Sequence, residues 1–344
     1  QHSVQNLLKE GVQPDIIVLR TEHHISDDLK RKVALFCNVD QKAVIQSEDA
    51  KTIYRVPLNM QAEHLDEVVL EKTGYDLSKI PAPNMTDWNA FLNKLESATE
   101  PVRIALVGKY VQLQDAYKSI QESLAHAAAY NDHKLVLTSI LSDNITESNI
   151  AELLKGQQGV IIAPGFGQRG VEGKFIALRY AREHQIPCLG ICLGMQAMAI
   201  EFARNVLGYK DANSVELNEL TTHNVIDIME DQKTLMNKGG SMRLGAYPCQ
   251  LQAGSKAAQI YGSDLISERH RHRYEFNHKY LHEFENAGMR CSGRNPDSGL
   301  VEIIELTKHP WFIGVQFHPE YSSTVLNPHP LFISFVKAAI DYEH

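Results

Sequence analysis

Apolar positions along the chain form two successive runs in which short hydrophobic segments alternate with amphipathic ones. In the first run, Asp15-Ile-Ile-Val-Leu19 predicts a buried strand after the Gln13-Pro14 turn. Ser26-Asp-Asp-Leu29 predicts a capped helix running toward Phe36, with acids in its first turn. Lys42-Ala-Val-Ile-Gln46 and Thr52-Ile-Tyr-Arg-Val56 predict two more strands, and Gln61 to Lys72 has helical spacing. These pieces are too few to complete a doubly wound sheet. Between Lys79 and Pro101 the pattern loosens, and Pro81, Pro83 and Pro101 bracket one short amphipathic helix near Trp88. Residues 80–101 are therefore predicted to link two domains, 1–79 and 102–344.

A second alternation starts at Val102. Arg103-Ile-Ala-Leu-Val107 predicts a buried strand ending in Gly108, Tyr117 to Tyr130 a helix, and Leu135 to Leu141 a strand. Gly159-Val-Ile-Ile-Ala163 predicts another strand, followed by a glycine-rich loop, a helix from Lys174 to His184 and the strand Pro187 to Ile191. Leu300 to Leu306 and Trp311 to Phe317 are β-rich, and Pro330 to Tyr342 closes as a helix. Strand, helix and strand at this spacing imply parallel pairing with right-handed crossovers, so the fold class is α/β.

Composition narrows the picture without changing it. The 344 residues are 43% apolar and 22% charged, which suits a folded globular protein. The net charge of −8 argues against a large phosphate-backbone footprint, so nucleic acid is not an expected partner. Ile186 to Ile200 is the most apolar stretch and is shorter than the ~20 residues a membrane span needs. The five cysteines, Cys37, Cys188, Cys192, Cys249 and Cys291, form no C-x-x-C pair. Neither a disulfide framework nor a zinc ribbon is indicated, and a reducing, cytoplasmic setting is the expectation.

Three motifs carry candidate chemistry. Gly190-Ile-Cys192-Leu-Gly194 follows a buried strand and precedes helix-forming residues, the arrangement of a nucleophile elbow with cysteine in the serine's place. A helix N-terminus favours the thiolate. The same cysteine also reads as a small buried hydrophobe at a strand end. His318-Pro319-Glu320 lies at the end of the Phe312 to Phe317 strand, where the imidazole can serve as base and Glu320 can orient it. The loop Pro164-Gly165-Phe-Gly167-Gln-Arg-Gly170 exposes backbone N–H groups that, with that of Leu193, suit an oxyanion. Gly165-x-Gly167-x-x-Gly170 also matches a dinucleotide fingerprint, but the next strand ends in Cys192 rather than in an acid. In Glu268-Arg-His-Arg-His-Arg273, strand alternation puts arginines on one face and histidines on the other. No acid or cysteine at the usual spacing completes a zinc set there, so an arginine gripping a carboxylate is preferred.

Gly190-Ile-Cys-Leu-Gly-Met-Gln196 with Phe317-His-Pro-Glu320 resembles the class I glutamine amidotransferases. Further strings narrow the resemblance to the CTP synthase family over essentially the whole chain. They are Val107-Gly-Lys-Tyr110, Asp115-Ala-Tyr-Lys-Ser119, Arg169-Gly-Val-Glu-Gly173, Ala212-Asn-Ser214, Met242-Arg-Leu-Gly245 and Arg269-His-Arg-His-Arg-Tyr-Glu275. The opening Gln1-His-Ser-Val4 is similar to the tail of that family's pyrimidine-binding K-T-K-P-T-Q segment.

The resemblance implies a class I glutaminase domain with a central, mostly parallel sheet over 102–344, preceded over 1–79 by an α/β remnant of the synthetase domain. It implies Cys192 as nucleophile, His318 as base and Glu320 as its partner. Gly165 and the backbone of Leu193, Gly194, Met195 and Gln196 would hold glutamine and the oxyanion. Glu216 would face the α-amino group and Arg273 the α-carboxylate. Gln1 and Lys32 match positions that in the family contact UTP or CTP. The intact family enzyme uses ATP and Mg2+ to aminate UTP, responds to GTP and forms a homo-tetramer; no metal ligand is assigned in this chain.

Two departures stand out. Family members often read P-G-G-F-G where this chain has Pro164-Gly165-Phe166-Gly167, and no G-K-[ST] phosphate loop occurs in these residues. The chain is therefore expected to lack the ATP-binding portion and to be competent for the glutaminase half-reaction alone. The alternatives are a different class I amidotransferase, a cysteine hydrolase, or a non-catalytic assembly fragment.

Overall fold

The structure is a computed structural model that describes residues 2–113, 115–228 and 242–342. It divides into two compact units, Gln1–Asn93 and Lys94–His344. Gln1 itself lies outside the described residues.

In the first unit, helix α1 (His2–Lys9) precedes strand β1 (Ile17–Thr21), helix α2 (Asp27–Cys37) and strand β2 (Val44–Glu48). The two strands pair in parallel, Ile17 opposite Val44 through Thr21 opposite Glu48, with α2 as the crossover. Ser26 caps α2 as expected, its Oγ accepting from Leu29 N at 3.4 Å. Lys32 is exposed on α2.

Two expectations fail here. Thr52 to Val56 is not a strand but a 3-10 turn over Ile53–Arg55, leading straight into helix α3 (Val56–Ala62). Thr52 caps the turn by accepting from Tyr54 N, and Pro57 occupies the first helical turn, so capping and proline outweigh the β-branched pattern. Gln61 to Lys72 is likewise not one helix. His64 takes a left-handed conformation, φ 58°, and separates α3 from α4 (Leu65–Lys72). Helix α5 (Thr86–Ser97) follows within the predicted linker, and the division between the units falls inside it.

The second unit alternates β3 (Pro101–Gly108), α6 (Lys118–Tyr130), β4 (Lys134–Leu141), α7 (Ile150–Leu153), β5 (Gly159–Ile162), α8 (Val171–Glu183), β6 (Cys188–Ile191) and α9 (Leu193–Asn205). It continues through β7 (Asn213–Ser214), β8 (Asn224–Ile228), β9 (Arg243–Leu251), β10 (Leu265–His272), β11 (Tyr274–Phe276), β12 (Met289–Arg294), β13 (Val301–Leu306) and β14 (Phe312–Val315). The main sheet has nine strands in the order β10-β9-β12-β13-β14-β6-β5-β3-β4, and β7, β8 and β11 form a small second sheet.

The α/β class holds, but the main sheet is mixed rather than mostly parallel. Strands β4, β3, β5, β6 and β14 run parallel, and from β14 outward each neighbour is antiparallel. The reason lies in the connections. Helices link the first strands, whereas β13 and β14 are joined by a short turn that permits only an antiparallel return.

Strands β5, β6 and β14 are buried at every position, which explains their unbroken apolar composition. Phe175, Leu178, Met198 and Phe202 of α8 and α9 pack one face of the sheet. Ile120 and Leu124 of α6, with Phe332 and Phe335 of the helix Pro330–Ile340, pack the other. Strands β6 and β14 are parallel neighbours in register, Cys188 opposite Phe312 and Ile191 opposite Val315. Their carboxyl ends therefore deliver Cys192 and the His318 turn to one edge of the sheet, the usual location of a ligand crevice in α/β sheets.

Candidate active site

Cys192 sits between β6 and α9 with φ 53° and ψ −105°, a conformation that non-glycine residues seldom adopt. Its own N–H donates to Val315 O at 2.7 Å, which ties the elbow to the neighbouring strand. The flanking glycines are sterically required. A Cβ on Gly190 would lie 2.7 Å from the Gly194 carbonyl carbon, and one on Gly194 would overlap the Ile162 carbonyl oxygen. The strained turn thus depends on close packing of α9 on β5 and β6.

Leu193, Gly194 and Met195 form the buried first turn of α9, whose N–H groups have no intrahelical acceptor. Gln196 differs from expectation in one respect: its N–H donates to Cys192 O at 3.2 Å, so its backbone is already engaged. Its side chain reaches the cleft instead. Gln196 Nε2 donates to Tyr274 O at 3.0 Å and to Gln316 Oε1 at 3.1 Å, and Gln316 Nε2 lies 3.7 Å from Cys192 Sγ.

His318 follows β14, and its N–H donates to Arg269 O at 2.8 Å. The 3-10 turn Pro319–Tyr321 brings Glu320 beneath the imidazole, with Nδ1 and Oε1 2.8 Å apart. Both side chains are buried. Burial opposes charge on the imidazole, but hydrogen bonds to Cys192 and Glu320, reinforced by their charges, prevail and raise its pKa to about 10. The group is therefore an imidazolium at neutral pH, held between Cys192 and Glu320.

A cleft of about 610 Å³ opens over these groups, and Gly165, Cys192, Gln196, Glu216, Arg273 and His318 all line it. Glu216 is half-buried and accepts from Gly167 N at 3.0 Å. Arg269 and Arg271 are exposed on β10 while His270 and His272 are buried, as alternation requires. Arg273 falls between β10 and β11, where the strand pattern lapses, and its buried Nε has no hydrogen-bond partner among the described residues. His270 and His272 bond one another at 3.0 Å, and His270 lies 2.8 Å from Glu302, which also pairs with Arg243. Among the described residues no group of three or more His, Cys, Asp or Glu side chains is gathered to hold a metal ion.

The family description "Glutamine amidotransferase class-I" matches residues 112–338. The chain belongs to that family. Residues 1–74 match "CTP synthase N-terminus". The class I amidotransferase chain is 61% identical over 341 residues to a CTP synthase of Bacteroides fragilis, covering 99% of this chain and 64% of the relative. It is 59% identical over 340 residues to a CTP synthase of Porphyromonas gingivalis, covering 99% and 63%. The chain thus spans a little under two thirds of these relatives' length. Among solved structures it resembles the glutaminase domain of a Trypanosoma brucei CTPS with bound acivicin, at 38% identity and a TM-score of 0.66, covering 71% of this chain and 95% of that one.

Three buried polar side chains beside Cys192 and the Gly165 loop escaped sequence reading. Gln316 looked like one more residue of a buried strand, although a glutamine within Phe312 to Phe317 was itself a signal. Lys109 and Lys174 flank the glycine loop and are both buried, yet a lysine ordinarily reads as a solvated charge. No helix among the described residues is long and apolar enough to cross a membrane.

Proposed function

We propose that this chain hydrolyses glutamine through Cys192, His318 and Glu320, and that within a longer protein the released ammonia aminates UTP to CTP. The observation that carries the glutaminase reading is the buried Cys192–His318–Glu320 array opening on a cleft that the Arg273 guanidinium and the Glu216 carboxylate also line. Glu216 suits the α-amino group and Arg273 the α-carboxylate, since each offers the opposite charge. The cleft is large enough to enclose an amino acid of this size.

In this mechanism Sγ of Cys192 attacks the side-chain amide carbon. The resulting oxyanion faces the unengaged N–H groups of the first turn of α9, helped by the Gly165 loop. His318 gives its proton to the departing ammonia through Nε2, because Nδ1 is committed to Glu320. Water then attacks the thioester, His318 takes a proton from it, and glutamate leaves with the thiolate restored.

The family match over residues 1–74 and the CTP synthase relatives support the wider reading. It includes UTP or CTP contact at Gln1 and Lys32, a GTP response, a homo-tetramer and a cytoplasmic setting. ATP and Mg2+ supply the phosphorylation of UTP in such a reaction. Among the described residues no metal-ligand set is gathered to hold Mg2+.

The test is glutamate release from glutamine by this chain, with and without GTP, beside Cys192→Ser. Turnover that the substitution abolishes supports the triad. A Cys192 that reacts with electrophiles while glutamine stays intact would instead favour a different cysteine hydrolase. A longer protein that forms no CTP from UTP, ATP and glutamine would overturn the wider reading.

A further inference from the structure

Lys174 is fully buried in the first turn of α8, and among the described residues no carboxylate pairs with it. Its Nζ donates to Ala163 O at 2.7 Å, where β5 gives way to the Gly165 loop. A Cβ built on Gly165 would lie 4.0 Å from that Nζ and 3.6 Å from Lys109 Cε, so both lysines back the same turn. Lys109 Nζ donates to Phe166 O and stands 4.6 Å from the Phe166 ring centre. Two lysines thus hold the carbonyl at the loop's entry and one within it.

This is an unfavourable place for a cation. An ammonium has three donors, and among the described residues Lys174 Nζ donates to one acceptor. The N-terminal turn of a helix repels positive charge, and Lys109 adds to that repulsion. Burying an unpaired charge is among the costliest arrangements in a protein. A negative charge on Cys192, as forms when the thiol reacts, would offset part of that cost by stabilising the ammonium. Asp143, on the turn packed against α8, is engaged by Arg169, and Glu172 of α8 pairs with Arg204.

We propose that Lys174 is a positioning residue for the thiol chemistry: it fixes the Gly165 loop through the Ala163 carbonyl and sustains the anion on Cys192. Burial first, and then Lys109, lower its pKa to about 7, against the pull of Cys192. Its support is therefore present below neutrality and fades as pH rises through about 7. The inference rests on the triad reading above, and the experiment separates the two.

The full chain and Lys174→Met are compared in three measurements: glutamate release, the pH dependence of Cys192 alkylation by iodoacetamide, and thermal unfolding. Lys174→Met is expected to lower kcat by about 30- to 300-fold while KM changes by less than about threefold. The inflection near pH 7 in wild-type alkylation is expected to vanish in the variant. Unchanged kcat with superimposable alkylation profiles would overturn the proposal. Should the variant not fold, wild-type protein with ε-13C-lysine decides. One lysine resonance is expected to titrate near 7 and to move to a lower midpoint once Cys192 is alkylated. A set of lysines all titrating near the ordinary value and indifferent to alkylation would overturn it. Wild-type protein that releases no glutamate would sink the glutaminase reading, while alkylation and resonance still decide the role of Lys174.

Discussion

Replacing Glu320 by glutamine keeps volume and removes one charge from the site. Glu320 Oε1 lies 2.8 Å from His318 Nδ1, and the two side chains are only 3% and 8% exposed. Water screens this contact little, so it belongs with charge-assisted hydrogen bonds worth about 1.5–3 kcal/mol. If that contribution is felt while the proton moves, kcat falls by about 10- to 150-fold. The loss grows if the amide NH2 turns toward Nδ1, because the ring must then accept there and its tautomer reverses.

The substitution also changes the pH profile in a definite direction. His318 has a folded pKa raised to about 10, supported by Cys192 and by Glu320. Its charged form is complete below the ordinary histidine value and disappears as pH rises through about 10. Without the carboxylate that disappearance comes earlier, so the alkaline limb of activity shifts toward neutrality. The assay is glutamate release between about pH 6 and 10, with Cys192 alkylation followed in parallel. A variant with kcat within about threefold of wild type and an unmoved alkaline limb would refute the role given to Glu320.

Other perturbations test other links. Arg273→Lys removes the planar fork while keeping the charge, and KM for glutamine should rise about 10- to 100-fold with kcat nearly unchanged in steady-state assays. Gly194→Ala drives a methyl group into the Ile162 carbonyl, and urea unfolding should register a loss of about 1–3 kcal/mol or more. Stability against pH should carry two opposing slopes. Between about 7 and the ordinary lysine value the unfolded chain binds the proton that folded Lys174 has released, so stability rises with pH there. Over much of that window folded His318 retains a proton the unfolded chain has lost, so its contribution falls as pH approaches about 10. In Lys174→Met only the second slope remains, and denaturant titrations across that range should find the variant losing stability with pH faster than wild type.

Local chemistry that depends on a few adjacent residues was legible. The elbow could be read because Gly190 and Gly194 bracket Cys192 at the end of an apolar strand, and the structure gives the steric reason for both glycines. Strand alternation correctly separated Arg269 and Arg271 from His270 and His272, since period two is a property of the backbone itself. Where two local signals competed, periodicity misled. Thr52 to Val56 looked extended, yet a side-chain cap and Pro57 made it a turn. Gln61 to Lys72 kept helical spacing across a break that His64 introduces through its backbone angle alone.

By itself the sequence determined the α/β alternation, the nucleophile elbow, the His-Pro-Glu turn and the family, because each is written in contiguous residues. Only the tertiary structure decided what those pieces meet. Parallel pairing of β6 with β14 sets Cys192 against His318, residues far apart in the chain. The same packing seals Lys174 behind the Gly165 loop, and a lysine's role follows from whether water reaches its ammonium. Burial and pairwise distance create the charges of this site, and both depend on strand order, which no window of sequence contains.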